Sequence, residues 1–561
     1  MDYQEMYRLW CEQVKDEELA AQLQRMANDP RQQEDAFYRD LSFGTGGLRG
    51  LLGAGTNRMN LYTVARATRG LAQTVPPDKR AAAVSYDSRI HSDRFARKTA
   101  EVLAQNGFRV FLFPELSPTP CLSYAVRFLG CGVGVMITAS HNPSAYNGYK
   151  VYGADGCQIT SRAAREIAEA IQQTDRFEEA EGLSFEEARA KGLISDMPED
   201  VMKGFLREVG SQSLLPSDGT EGEETIVYTP LNGTGLKPVT AALRAKGYRV
   251  QVVPEQENPD GHFPTCPRPN PEEREAMERA IAFGKQVGAH LLLATDPDCD
   301  RVGIAERTPQ GDYRLFSGNE TGVLLLDHIA SLRKEQGKMP SDPVMMKTIV
   351  TTAMAEKVAA QYGIRTVNVL TGFKYIGEQI GRLEQEGREA SFVFGMEESY
   401  GYLSGGYVRD KDAVGACLLI CDMAHALRRK GLTLNDRLEA LFRQFGYYLD
   451  TQCSFHFEGS AGAAQMKALM AAFRSGLRTI GGMAVTSCTD YAPGVDGLPP
   501  SDVLRFCLEG GSQVVVRPSG TEPKLKVYIS VCAHTRSAAE QTEQTLKNAF
   551  SQMVLSGGNL F

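Results

Sequence analysis

The segment Thr138-Ala-Ser-His-Asn-Pro143 follows an apolar run, Val133 to Ile137, that reads as a buried strand. The turn it opens carries one hydroxyl, Ser140, beside one imidazole, His141. No other stretch so clearly places a nucleophile at a strand end. The reading it supports is that Ser140 carries a phosphoryl group. His141 either takes part in the chemistry or orients Ser140. The continuation Tyr146-Asn-Gly-Tyr-Lys150 brings a lysine close behind.

A second apolar run, Leu291 to Ala294, empties into Asp296, Asp298 and Asp300, followed by Arg301. Three like charges this close repel unless a cation compensates them, and oxygen ligands in a compact loop suit Mg²⁺. An EF-hand opens with the same alternation, but its sixth position would be Arg301 instead of Gly and its twelfth Arg307 instead of Glu. A solvated acidic turn is the plain alternative. Three carboxylates leave open metal positions, and a phosphoryl oxygen on Ser140 would fill one, so Ser140 joins the metal set.

Two further loops fit a phosphorylated ligand. In Val516 to Lys526, Arg517, the hydroxyls of Ser519 and Thr521 and the amides around Gly520 form a candidate phosphate cradle that Lys526 closes. Gly395-Met-Glu-Glu-Ser-Tyr-Gly401 pairs acids with a hydroxyl, which suits sugar hydroxyls or general acid–base work. Upstream lies Thr371-Gly-Phe-Lys374, and downstream Arg409-Asp-Lys-Asp412. Lys150 and Lys411 are the candidate proton carriers; a lysine acting as a base needs a depressed pKa. In Phe43 to Gly50, closely spaced glycines admit backbone near a ligand and Arg49 supplies a planar cation, although a plain turn reads the same way.

A recurring unit positions these loops. Strand, helix and strand are predicted at 81–86, 92–105 and 107–112; again at 225–228, 235–244 and 247–253; and again at 344–349, 353–361 and 363–369. Each helix closes near a glycine, and the shared helix–Gly–aromatic-or-Ile–Arg junction favours three related α/β domains with mixed sheets. The last segment differs: antiparallel strands at 503–508, 513–516 and 525–531 and a helix over 537–553 predict an α+β domain. The N-terminal residues 1–41 read as two short amphipathic helices broken near Asn28-Asp-Pro30, with Trp10 packing one onto the body. Residues 211–224 mark a boundary, and 254–271 read as a long ordered loop. The domain limits expected are 1–208, 209–316, 317–447 and 448–561.

At 561 residues the chain exceeds one core, since ~150 residues per domain is typical. The net charge of −8, from 61 basic and 69 acidic residues, argues against nucleic-acid binding but leaves room for a basic pocket. Twelve scattered cysteines without a Cys-x-x-Cys pair predict reduced thiols and a cytoplasmic location. Neither a signal peptide nor a membrane span is expected.

Together these residues resemble the α-D-phosphohexomutases, which include phosphoglucomutases and phosphomannomutases. Phe43–Arg49, Thr138–Pro143, Asp296–Arg301, Thr371–Lys374, Gly395–Ser399 and Arg517–Thr521 fall in that family's order along nearly the whole chain. The Gly-rich start and Tyr146–Lys150 are most similar to the phosphoglucomutase-2 type, which includes bacterial phosphoglucomutases and animal enzymes acting on pentose phosphates. The resemblance implies four domains around a central cleft. It implies a phosphorylated Ser140, with Mg²⁺ on Asp296, Asp298 and Asp300. Arg49 and Lys150 lie by the phosphoserine, Lys150 as an acid–base group. Thr371, Gly372, Lys374, Glu397, Ser399 and Arg301 bind substrate, and Arg517, Ser519, Gly520, Thr521 and Lys526 hold the distal phosphate. Where the phosphomannomutase group has histidines, this chain has Phe373 and Tyr402. A mannose preference is therefore disfavoured, and Lys411 becomes the substitute proton carrier.

The expected activity is interconversion of glucose 1-phosphate and glucose 6-phosphate through glucose 1,6-bisphosphate, which also serves as activator. The partner is a small phosphosugar, and the protein is expected as a monomer or weak dimer. Phosphopentomutase action on ribose or deoxyribose 1-phosphate and sugar-bisphosphate synthesis from an external donor are the alternatives. A non-catalytic sensor would be expected to have lost Ser140 or an Asp, and a hydrolase has no need of a distal phosphate loop.

Overall fold

The computed structural model describes residues 2–44, 46–177, 183–216, 219, 224–457, 459–495, 497–518 and 524–555. The chain divides into two compact units. One comprises Met1–Gly318, Phe373–Gly395 and Ser399–Ala426; the other comprises Asn319–Gly372, Met396–Glu398 and Leu427–Phe561.

The first unit opens with three helices, Tyr3–Gln13, Glu17–Arg25 and Pro30–Phe37, each capped by an aspartate whose side chain accepts a first-turn amide. The expectation of two helices is corrected: Val14 turns extended and Asp16 starts a new helix, while the break at Asp29-Pro30 is as expected. Trp10 is buried, its ring 5.6 Å from those of Phe37, Tyr62 and Phe177, and so pins this layer to the body.

Behind the layer stands a six-stranded mixed sheet of Leu48–Leu51 (β1), Ala81–Tyr86 (β2), Arg109–Leu112 (β3), Val133–Ile137 (β4), Tyr146–Gly153 (β5) and Ile194–Asp196 (β6), in the order β1-β5-β4-β2-β3-β6. β2, β3, β4 and β6 run parallel, and β5 alone runs against them, pairing antiparallel with β4 on one side and β1 on the other. Every residue of β4 is buried, as expected for a strand covered on both faces. A second mixed sheet holds Thr225–Thr229 (β7), Arg249–Val252 (β8), Leu291–Thr295 (β9), Val302–Arg307 (β10) and Tyr313–Phe316 (β11), in the order β11-β10-β9-β7-β8. β9, also buried throughout, delivers the acidic loop. The predicted loop at 254–271 begins with a short helix, Pro254–Glu257.

In the second unit Val344–Thr348 (β12) and Arg365–Val369 (β13) pair parallel around the helix Met354–Gln361. Strand Phe392–Glu397 (β14) follows in sequence, its residues up to Gly395 belonging to the first unit, as does strand Gly401–Leu403 (β15). The C-terminal sheet is antiparallel: Tyr447–His456 (β16), Thr479–Ile480 (β17), Met483–Asp490 (β18), Leu504–Leu508 (β19), Gln513–Pro518 (β20) and Lys524–Ala533 (β21), in the order β16-β21-β20-β19-β18-β17. The helix Arg536–Leu555 packs on it through Leu546 and Phe550. The three strand–helix–strand units and the α+β end are therefore as read. Of the expected limits, 208/209 falls inside the helix Glu199–Ser211, while 316/317 falls cleanly between β11 and the helix Gly318–Glu335.

No helix among the described residues is long and apolar enough to cross a membrane. All twelve cysteines are free thiols.

Candidate active site

β4 ends at Ile137, and residues 138–145 carry the chain round to β5 at Tyr146. The Thr138 hydroxyl accepts the Ser140 N–H at 2.7 Å, and Ser140 takes a left-handed φ of 53°, a conformation that costs an L-residue roughly 1–2 kcal/mol. The turn is over-determined from beneath. Arg89, buried on the loop after β2, donates to the carbonyls of Ser140 at 2.5 Å, of Pro143 and Tyr146 at 3.0 Å each, and of Asn142. Its charge is met by the buried Asp87, with Nε and Oδ2 3.4 Å apart.

Ser140 Oγ donates to Asp296 Oδ2 at 2.8 Å and lies 3.2 Å from His141 Nδ1. Burial and the charges of Arg301 and Arg49 hold the His141 imidazole well below its usual pKa, so it is neutral. Arg49, opposite Gly148 in the β1–β5 ladder, reaches Asn142 Oδ1 at 3.1 Å. The Gly-rich approach to β1 has a packing reason: a Cβ on Gly47 would lie 1.8 Å from the Tyr149 carbonyl oxygen.

The acidic loop is buried, with Asp296, Asp298 and Asp300 no more than 2% exposed. Each offers an oxygen within 4.8 Å of the others. The Asp300 and Arg301 N–H groups donate to Asp296 Oδ1 at 3.1 and 3.0 Å. Thr119 donates to Asp298 through its hydroxyl and its amide, each at 2.9 Å. Lys150 Nζ donates to Asp298 Oδ2 at 2.7 Å and stands 3.6 Å from Asp300 Oδ2, which Lys411 Nζ also approaches to 3.1 Å. Two oxygens, Asp298 Oδ1 and Asp300 Oδ1, are buried without a hydrogen-bond donor. Desolvated carboxylate oxygens left over inside a cluster of three acids are what a hard divalent cation requires, so the residues fit a metal site.

Burial and the neighbouring Asp300 and Asp298 charges push Asp296 well above the usual carboxylate range. Burial opposes ionisation of Asp298 too, but Lys150 and Thr119 hold its pKa below that range. Burial likewise works against the Lys150 cation, yet Asp298 and Asp300 raise its pKa above normal. The expectation of a depressed Lys150 pKa is therefore not met: the ammonium is ion-paired, the state of a proton donor.

Lys411 reaches the cluster because residue 401 is glycine, where a Cβ would sit 2.0 Å from the Lys411 Cδ. Its ammonium also stands 6.0 Å from the Phe373 ring. Arg301 sends Nη1 to Glu272, with Nε 3.8 Å from Asp300 Oδ1. Lys374 lies in the same unit, its carbonyl oxygen accepting from Cys157 Sγ at 3.3 Å, and Ser399 follows in the turn after β14. Thus Ser140, His141, Arg49, Lys150, Lys411, Arg301 and the three aspartates form one connected set. Sequence reading missed Arg89, Asp87, Thr119 and Gly401. Only an Asp-x-Arg spacing hinted at the first two, and it looks like any charged turn.

In the second unit, Glu397 is buried at the end of β14, and its Oε1 accepts the Gly372 N–H at 2.8 Å beside Thr371. Glu398 instead receives the hydroxyls of Thr348 and Thr351 at 3.1 Å each. Arg517 stands directly opposite Lys526 in the β20–β21 ladder. Two cations placed side by side in this way suit a shared anion such as a phosphate. Ser519, Gly520 and Thr521 lie outside the described residues.

The comparisons with known proteins agree with this layout. Models of the phosphoglucomutase/phosphomannomutase α/β/α domains I, II and III match residues 40–178, 203–311 and 317–445, and that of the C-terminal domain matches 457–548. A phosphoglucomutase of Staphylococcus haemolyticus is 36% identical over 89% of this chain and 92% of its own. A Schizosaccharomyces pombe protein named "Probable phosphoribomutase" is 35% identical over 97% of this chain and 95% of its own. The open form of the Paramecium phosphoglucomutase parafusin superposes with a TM-score of 0.70 at 18% identity, covering 93% of this chain and 95% of that one, a likeness of fold.

Proposed function

The chain belongs to the phosphoglucomutase/phosphomannomutase family, and we propose that it interconverts glucose 1-phosphate and glucose 6-phosphate through a phosphoserine at Ser140. The observation that carries this reading is the 2.8 Å bond from Ser140 Oγ to Asp296, which couples the hydroxyl to a buried carboxylate cluster fit for a metal.

Phospho-Ser140 transfers its phosphoryl group to the free hydroxyl of the bound hexose phosphate. The Oγ–P bond breaks as the sugar O–P bond forms, giving glucose 1,6-bisphosphate. After the bisphosphate turns over, its other phosphoryl group returns to Oγ. Mg²⁺ held by Asp296, Asp298, Asp300 and a phosphoryl oxygen on Ser140 would supply positive charge against the transferring group. Arg49 lies beside the turn to neutralise the same charge. Lys150, ion-paired and protonated, is suited to return a proton to Ser140 Oγ, and Lys411 to exchange the proton of the sugar hydroxyl. Neutral His141 orients Oγ. Glu397, Ser399, Thr371, Gly372, Lys374 and Arg301 hold the sugar. Arg517 and Lys526, with Ser519, Gly520 and Thr521, hold the phosphate that does not react.

Supplied glucose 1,6-bisphosphate primes the enzyme, which we read as cytoplasmic and monomeric or weakly dimeric. The test is one panel of glucose, mannose, N-acetylglucosamine, ribose and deoxyribose 1-phosphates with Mg²⁺ and trace glucose 1,6-bisphosphate. Glucose 1-phosphate is expected to turn over fastest. A pentose outrunning it would support the second reading, a phosphopentomutase, which the name of the fission-yeast relative favours.

A further inference from the structure

Arg89 touches neither Ser140 Oγ nor the aspartates by hydrogen bond, yet its guanidinium organises the turn that carries Ser140. Its side chain is fully buried, 5.0 Å from the Phe263 ring. Asp87 locks it in place by accepting the Arg89 N–H at 2.9 Å and the Ser92 hydroxyl at 2.8 Å. From there two terminal nitrogens gather four carbonyls spread over Ser140 to Tyr146. A planar fork can span four acceptors in this way, whereas an ammonium on a flexible stem is a single point.

The arrangement has a consequence on the other side of the peptide. In a trans peptide the C=O and the following N–H point in opposite directions, and the chain holds no cis bond among the described residues. Drawing the Ser140 carbonyl toward Arg89 therefore turns the His141 N–H away from it. Among the described residues no protein group accepts that N–H. A donor left over one residue from a phosphorylated hydroxyl is a ready partner for a phosphoryl oxygen.

We propose that Arg89 is a positioning residue for phosphoryl transfer: it holds Ser140 in its left-handed conformation, keeps Oγ on the carboxylate cluster and aims the His141 N–H at the phosphoryl group. The proposal rests on the phosphoserine reading above. It predicts that losing the fork misplaces Oγ without disturbing the groups that bind the sugar.

The test compares the full-length wild type with Arg89→Lys and Arg89→Ala. It measures phosphate on Ser140 by intact mass after incubation with glucose 1,6-bisphosphate, mutase kcat and KM, and thermal melting. Arg89→Lys is expected to fold, to lose about 100-fold in kcat, as roughly 1 Å misplacement does, and to keep KM within about threefold. Millimolar guanidinium ion is expected to restore part of the kcat of Arg89→Ala and none of that of Ser140→Ala. A wild type that never gains phosphate on Ser140 would sink the phosphoserine reading, and this inference with it. If the wild type is phosphorylated, two results overturn the inference alone: Arg89→Lys at wild-type kcat, or an activity loss that tracks the unfolded fraction and resists guanidinium.

Discussion

Ser140 Oγ and Asp296 Oδ2 meet at 2.8 Å although 156 positions separate them in the chain. Each sits just past the end of a fully buried strand, β4 or β9. Apolar strands make the scaffold rigid, and the polar turns that follow them carry the chemistry.

Replacing Ser140 tests both its hydroxyl and its backbone. Ser140→Ala and Ser140→Gly should each lower kcat by about 10⁴-fold or more, since a nucleophile is removed. They should differ in stability. Both lack the hydroxyl, but at a φ of 53° glycine avoids the Cβ penalty, so the Gly variant should be the more stable by about 1 kcal/mol in denaturant titrations. Alanine equal to glycine would mean that the backbone relaxes.

Removing divalent cations with a chelator should abolish turnover, and added Mg²⁺ should restore it. Asp298→Asn keeps the shape but removes one charged ligand. Its Mg²⁺ midpoint in activity titrations should rise by at least about 10-fold, the lower end of what losing even an outer-sphere partner costs. Full activity in chelator would remove the metal from the scheme.

Arg517 and Lys526 face one another across β20 and β21. Lys526→Gln should raise KM for the sugar phosphate by about 10-fold or more, since a charge-assisted hydrogen bond contributes about 1.5–3 kcal/mol. A lower melting temperature with unchanged KM would assign Lys526 to the sheet alone.

Asp412 gives a pH signature in stability. It is 1% exposed. Burial pushes its carboxyl from 3.8 up to about 6, against the pull of the Tyr407 hydroxyl and the amides of Gly415 and Val414. With the folded pKa above the unfolded one, the native state holds a proton that the unfolded state releases between about pH 4 and 6. Stability from this group is full below pH 4 and is lost as pH rises through 6. The loss is on the order of 3 kcal/mol. Unfolding free energies of the parent and Asp412→Asn, measured between pH 4 and 7, should diverge in that direction. Parallel curves would show that Asp412 ionises normally.

Much of this was legible from local pattern. Alternating strands and amphipathic helices predicted the three α/β repeats, because period and glycine caps are properties of a few adjacent residues. Asp296, Asp298 and Asp300 announced a cation site because repulsion between neighbours in the chain is itself local. The first two N-terminal helices were read as one because only Val14, Lys15 and Asp16 separate them, too short a break for periodicity to register.

What the chain alone determined is the inventory: a serine past one buried strand, three acids past another, and basic loops suited to phosphate. What only the tertiary structure decided is how those groups are held. Arg89 lies 51 positions before Ser140, and Thr119 179 positions before Asp298. Gly401 matters only because the Lys411 side chain crosses over it. Lys150 is protonated rather than neutral because Asp298 and Asp300 surround it. Contacts between residues so far apart, and pKa values set by buried neighbours, have no local signature, because both depend on which strands the fold lays side by side.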